Sequence, residues 1–164
     1  MSRVAKLAAL AAVSTAAVTL TAAPALAWTN GTFTATANAN SLVVRVNDTV
    51  VATCSGSTLR GSITSTGSFS VTSATATGCG VTVTPTGFPW SGSFTSSSPT
   101  SGTAAINGFK MTALGCTYTG NLSGPYTGAA PPATATFTRV PVTGSGGLCF
   151  SNVNVSATYV FTQP

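Results

Sequence analysis

Residues 67–90, GSFSVTSATATGCGVTVTPTGFPW, decide the fold of this chain. Apolar and polar residues alternate in two segments of this stretch, with Cys79 between them and a proline-flanked tryptophan, Trp90, at the end. Alternation with period two predicts half-buried β-strands. The apolar positions before and after residues 72–73 fall on opposite faces, so these two residues are predicted to form a β-bulge or a bend. The rest of the chain is organised around such strands.

The same alternation recurs from Thr32 to the C-terminus, and no window carries a helical apolar stripe. Asn47 and Asp48 predict a hairpin turn, and a second parity change before Leu114 predicts another bulge. Two segments rich in Ser, Thr, Gly and Pro are expected to be irregular or turn-rich, residues 91–102 and 121–132. Eight to ten short strands separated by turn signals predict an all-β domain, an antiparallel β-sandwich, with a β-barrel as the alternative. The predicted strands cover residues 32–40, 42–46, 49–54, 60–64, 67–77, 79–84, 106–114, 133–142 and 153–161.

The first 27 residues have the pattern of a secretory signal peptide. A short basic region with Arg3 and Lys6 precedes an Ala/Leu/Val-rich run, and small residues lie at positions −3 and −1 relative to Trp28. We therefore expect residues 1–27 to be a signal peptide and residues 28–164 to form one secreted β-domain without a transmembrane segment.

Four cysteines fit the same extracellular destination, because an even number of cysteines outside the cell favours disulfides. Four cysteines allow three pairings, and we favour the sequential one, Cys54 with Cys79 and Cys116 with Cys149, because it ties neighbouring elements together. A zinc or redox site is disfavoured, since the chain has no C-x-x-C motif and no histidine.

Charge is scarce and catalytic groups are nearly absent. After Thr29 the ionic side chains are four scattered cations and one carboxylate, Asp48, which excludes a basic stripe for nucleic acid and an acidic calcium cage. General acid–base catalysis needs histidine or a tuned carboxylate, and a glycosidase needs two carboxylates. We therefore expect no enzyme, no metal and no cofactor, and we interpret Asp48 as a turn residue.

Three aromatic residues close together are the candidate ligand contacts, Phe88, Trp90 and Phe94. If they were exposed, they could stack on sugar rings or anchor a protein partner. If they were buried, Trp90 would cap the core beside a disulfide, and the scarcity of large apolar residues favours that interpretation.

Several motifs together resemble one group of exported proteins. An Ala-rich signal, "SVTSATATGCG" around Cys79, "TPTGFPW" ending at Trp90 and a later cysteine pair are similar to small secreted β-rich proteins of actinomycetes such as Streptomyces relatives. The resemblance covers about residues 53–161. It implies an exported β-domain with two disulfides and implies no activity or site residues.

Function is therefore expected to lie in the surface. The first hypothesis is a non-enzymatic secreted or cell-envelope domain, extracellular or associated with the cell wall, that binds cell-wall polysaccharide or protein. The alternative is a carrier that holds an apolar small molecule in a sandwich cleft or barrel mouth. An inhibitor of hydrolases that acts through residues 91–102 is a third hypothesis. Strand edges with so few charges also indicate self-association.

Overall fold

The computed structural model describes residues 27–164, and it contains eleven strands and no helix within them. Residues 1–26 of the predicted signal peptide lie outside the described residues. The strands are β1 Gly31–Ala37, β2 Leu42–Val46, β3 Thr49–Cys54, β4 Gly56–Ile63, β5 Ser68–Thr77, β6 Val83–Pro85, β7 Trp90–Ser98, β8 Ser101–Ala113, β9 Cys116–Thr127, β10 Ala133–Ser145 and β11 Val153–Thr162. The predicted all-β class is confirmed.

Eight of these strands form a closed antiparallel ring. Their order is β1, β4, β5, β7, β8, β9, β10 and β11, and β11 pairs with β1 to close the ring. At the closure Ala35 lies opposite Phe161 and Ala37 lies opposite Tyr159. The architecture is therefore a barrel, which the sequence left as the alternative to a sandwich. Closure gives the eight strands partners on both sides, so the ring has no free edge.

The remaining three strands lengthen one end of the barrel. The hairpin of β2 and β3 continues along β11, where Val46 lies opposite Val153. On the other side of this end, β6 pairs with the last residues of β8, and Val83 lies opposite Ala113. β3 and β6 each pair with one strand among the described residues, so the sheet is open between them.

The two segments expected to be irregular are mostly strand, and that expectation was wrong. Residues 90–98 form β7, which pairs with β5 and β8, and residues 116–127 form β9, which pairs with β8 and β10. In β7 the inward positions include Gly92, where a Cβ would overlap the ring of Phe69. Because glycine occupies an inward position where the alternation would have an apolar residue, the period-two pattern of this strand cannot be recognised in the sequence.

The parity changes have two different causes. In β5 the register shifts so that Arg60 pairs with Ser73 and Gly61 pairs with Val71, which leaves Thr72 as the extra residue. The bulge predicted there is confirmed. The second predicted bulge, before Leu114, is wrong, because Leu114 and Gly115 form the two-residue turn between β8 and β9.

Aromatic side chains fill the barrel. Phe33, Phe69, Phe94 and Phe161 pack on one another with ring centroids 5.0–5.6 Å apart. Trp28 closes the end where the described chain begins by stacking on Phe94 at 4.9 Å. The outward positions of the strands are mainly threonine and serine, whose methyl and hydroxyl groups suit a solvated β surface.

Candidate binding surface

The aromatic residues singled out in the sequence lie mostly in the core. Trp90 is 1% exposed, its indole Nε1 donates a hydrogen bond to the carbonyl oxygen of Thr86, and its ring packs against Phe109. Phe94 is also buried, and the partly buried Phe88 stacks on Trp90 at 4.7 Å. Trp90 and Phe94 therefore present no ring face to a ligand on the surface.

Both disulfides lie at the extended end of the barrel, with the predicted pairing. Cys54 at the end of β3 is bonded to Cys79 in the connection from β5 to β6. Cys116 at the start of β9 is bonded to Cys149 in the connection from β10 to β11. The first disulfide ties together the two sides of the open sheet. The second fixes the loop that carries Leu148 and Phe150.

Large apolar side chains are exposed at this same end. Among the described residues the exposed large hydrophobic side chains are Val50, Val51, Leu114, Leu148 and Phe150, and we call these five the apolar rim. They come from three separate connections or strand starts, namely the β2–β3 hairpin, the β8–β9 turn and the β10–β11 loop. Scattered exposed apolar residues are normal on a protein surface, whereas a large contiguous apolar patch is rare on a monomeric protein.

A small apolar cleft opens at the rim. Its volume is about 70 Å³, and Val51, Leu114 and Phe150 of the rim line it, which places these three side chains around one opening. The floor is formed by inward side chains of the extended strands, and no lining residue is charged. The lining residues are Val44, Val46, Val51, Ala52, Val81, Val83, Met111, Ala113, Leu114, Tyr118, Phe150 and Val153.

Leu114 stands out because neither its backbone nor its burial favours leucine. It is 75% exposed and has φ +53°, followed by Gly115 with φ +77°. Positive φ at both central residues is the geometry of a type I′ hairpin turn, which favours Asn, Asp or Gly at the first position. The β2–β3 turn has the same signs of φ and uses Asn47 and Asp48.

The ionisable groups of the described chain form no cluster that could carry chemistry. Asp48, in the β2–β3 turn, accepts a hydrogen bond from Arg139 Nη1 at 3.0 Å, and the two side chains form an ion pair exposed on the outer surface. Within residues 27–164 there is no group of three or more His, Cys, Asp or Glu side chains that could hold a metal ion. Burial raises the pKa of Tyr159 to about 12, and its hydrogen bond with Ser57 opposes part of that rise.

A second, larger depression runs along the outside of β1 and β4. It has a volume of about 600 Å³, and half of its lining residues carry a hydroxyl group, with Arg60 beside them. Thr32, Thr34 and Ser62 are ordinary outward residues of their strands, and the one aromatic lining residue, Phe33, is buried. This groove therefore offers hydrogen bonds and a cation but no stacking surface.

Sequence reasoning missed the rim. Leu114 was assigned to a strand, and Leu148 and Phe150 were not considered as contacts. A signal was present in both places: a leucine precedes a glycine between two strand patterns, and a Leu-Cys-Phe triplet follows the loop of residues 144–147. Large apolar residues in turn positions are the feature to look for.

The fold and this surface define a class of protein, a disulfide-linked closed antiparallel β-barrel with an apolar rim. No protein-family model, curated protein or solved structure matches the chain. Two disulfides point to an oxidising, extracellular environment. Within residues 27–164 no helix has the length and apolar character needed to cross a membrane.

Proposed function

We propose that this protein is a secreted, non-enzymatic binding module that contacts cell-wall polysaccharide or an envelope protein through its apolar rim. The observation that carries the proposal is Leu114, a leucine that is exposed and has a left-handed backbone conformation. Such a conformation costs a non-glycine residue roughly 1 kcal/mol or more. Because Leu114 is 75% exposed, burial offsets little of this cost in the free protein, and a contact with a partner is the physical reason to keep leucine there.

The composition of the rim favours a binding function over a catalytic one. Rim and cleft contain aliphatic and aromatic side chains without a charge, and the nearest carboxylate, Asp48, is held by Arg139. Apolar anchors around a desolvated centre are the usual source of affinity in interfaces.

The carrier hypothesis has less support than the binding module. Cavities that hold small molecules usually measure about 300–1,000 Å³, whereas the apolar cleft measures about 70 Å³. A deeper hollow beside Phe109 and Tyr159 measures about 20 Å³. The barrel interior is otherwise filled by the packed aromatic rings. The cleft has room for part of one side chain.

The test is Leu114→Asn, which separates binding from stability. Asparagine before glycine is the preferred pair for this turn, so we expect the free energy of unfolding to rise by about 0.5–1 kcal/mol. Retention of the purified protein on an actinomycete cell-wall preparation, and on polysaccharide purified from it, should fall at least about tenfold, since an apolar anchor is lost.

Thr100→Asn is the matched control, because Thr100 is an exposed turn residue at the opposite end of the barrel. It should bind like the wild type. If Leu114→Asn is more stable and is still fully retained, the rim does not make the contact and the proposed function is wrong.

A further inference from the structure

The apolar rim also indicates how its use is regulated, and this inference rests on the proposed function because a second copy of this chain and the cell-wall partner compete for the same surface. We infer that the rim binds a second copy of this chain in a two-fold contact, in which Leu148 of each copy enters the apolar cleft of the other.

The shape of the surface combines a protruding side chain with a recess. Leu148 is 98% exposed and is not among the cleft-lining residues, although Phe150, two residues later, is one of them. The cleft of about 70 Å³ is mainly apolar and has no charged lining residue. In an isologous contact each copy offers the same surface, so one protrusion and one recess on the same end can satisfy each other twice.

The exposed area is sufficient for such a contact. The five rim residues, backbone included, together expose roughly 600 Å², which lies within the range for the largest apolar patch on a monomer. Two copies that covered the whole rim would bury at most about 1,200 Å², close to the roughly 1,000 Å² that a specific interface needs. The disulfide at Cys149 holds the Leu148 loop to β9, which lowers the entropy lost on binding.

Charge favours self-association over a lipid surface. In a two-fold contact a charged residue near the axis would face its own copy, and the rim and cleft contain none. Binding to anionic lipid depends on free cations beside the apolar residues, whereas Arg45, which lies opposite Val50 of the rim, has its guanidinium on Ser156, and Arg139 is paired with Asp48. A flat bilayer also leaves a central recess unfilled.

The experiment measures molecular mass by sedimentation velocity over a wide range of concentrations of the full mature chain. We expect the wild type to reach twice the monomer mass. Leu148→Asp removes both Leu148 contacts of the dimer, so self-association should weaken at least about a hundredfold. Thr100→Asp adds the same charge at the opposite end and should dimerise like the wild type.

Cross-linking locates the contact. Photo-leucine at position 148, in a mixture of isotopically heavy and light protein, should form heavy–light cross-links to the cleft residues around Val51 and Val83. Cross-links confined to one chain, or a Leu148→Asp variant that dimerises fully, would overturn the inference.

Two further outcomes would also overturn it. In one, the wild type stays monomeric but floats with neutral phosphatidylcholine vesicles in a Leu148-dependent way, and the rim then binds a lipid surface. In the other, the wild type stays monomeric while cell-wall retention still depends on Leu114. In that second outcome self-association is excluded and the proposed function stands, so the two failures can be told apart.

Discussion

A buried pair of hydroxyl groups inside the barrel allows a sharp test of the packing. Ser57 Oγ lies 2.8 Å from Tyr159 OH and donates a hydrogen bond to the carbonyl oxygen of Thr75, also at 2.8 Å. Because serine has one proton and that proton points to Thr75, Tyr159 must donate to Ser57. Ser57 is the one buried polar residue of the described core.

The two single substitutions differ in what they leave behind. Tyr159→Phe removes one hydrogen bond while Ser57 keeps its bond to Thr75, so it should lower the free energy of unfolding by about 1 kcal/mol. Ser57→Ala leaves the Tyr159 hydroxyl and the Thr75 carbonyl without that partner, so it should cost about 2 kcal/mol. In the double variant the unpaired Tyr159 hydroxyl is absent, so the cost should stay near about 2 kcal/mol, a coupling of about 1 kcal/mol.

Equilibrium unfolding in guanidinium with both disulfides intact measures these values, provided that the slope of the free energy against denaturant is the same in all four proteins. Strictly additive costs, about 3 kcal/mol for the double variant, would show that the two hydroxyls do not interact. The assignment of donor and acceptor given above would then be refuted.

Three further predictions concern the fold. Burial raises the pKa of Tyr159 from 10.0 to about 12 in the folded state. The contribution of the neutral Tyr159 hydroxyl to the free energy of unfolding should therefore be fully present below pH 10 and should fall by about 3 kcal/mol as the pH rises to about 12. Unfolding measured as a function of pH should show this loss in the wild type and should not show it in Tyr159→Phe. A Cβ on Gly61 would overlap the Ser70 carbonyl oxygen, so Gly61→Ala should lower the midpoint of thermal unfolding and cost about 3 kcal/mol, whereas Gly147→Ala, in open space, should be neutral. Within the described residues the buried Tyr126 hydroxyl has no hydrogen-bond partner, so Tyr126→Phe should be neutral or stabilising by about 1 kcal/mol, and a loss of stability in urea unfolding would contradict this.

Alternation predicted those strands in which every inward position carries an apolar side chain. β11 is the clearest case, with Val153, Val155 and Tyr159 inward. The bulge at Thr72 was also predictable, because a single extra residue reverses which face the following apolar residues occupy. The cysteine pairing followed from proximity along the chain and is confirmed.

Other features could not be predicted because they depend on distant contacts. Gly92 in β7 and Gly124 in β9 occupy positions where a Cβ would overlap another part of the sheet. Because there is no room for a side chain, glycine stands where an apolar residue would otherwise mark the strand. The choice between sandwich and barrel depends on the pairing of β1 with β11, which joins the first and last strands of the described chain. Local periodicity carries no information on that pairing.

The rim is the place where local rules and the observed structure disagree, and that disagreement has physical content. Elsewhere in the described chain, large apolar residues are buried or partly buried, and the β2–β3 turn uses the residues that its backbone favours. At the rim Leu114 has a strained turn conformation and Leu148 is almost fully exposed. The Cys116–Cys149 disulfide holds the loop of Leu148 in place. Natural sequences depart from local consistency mainly at functional sites. If Leu114→Asn stabilises the fold and abolishes binding, this departure is the cost of the surface that the protein uses.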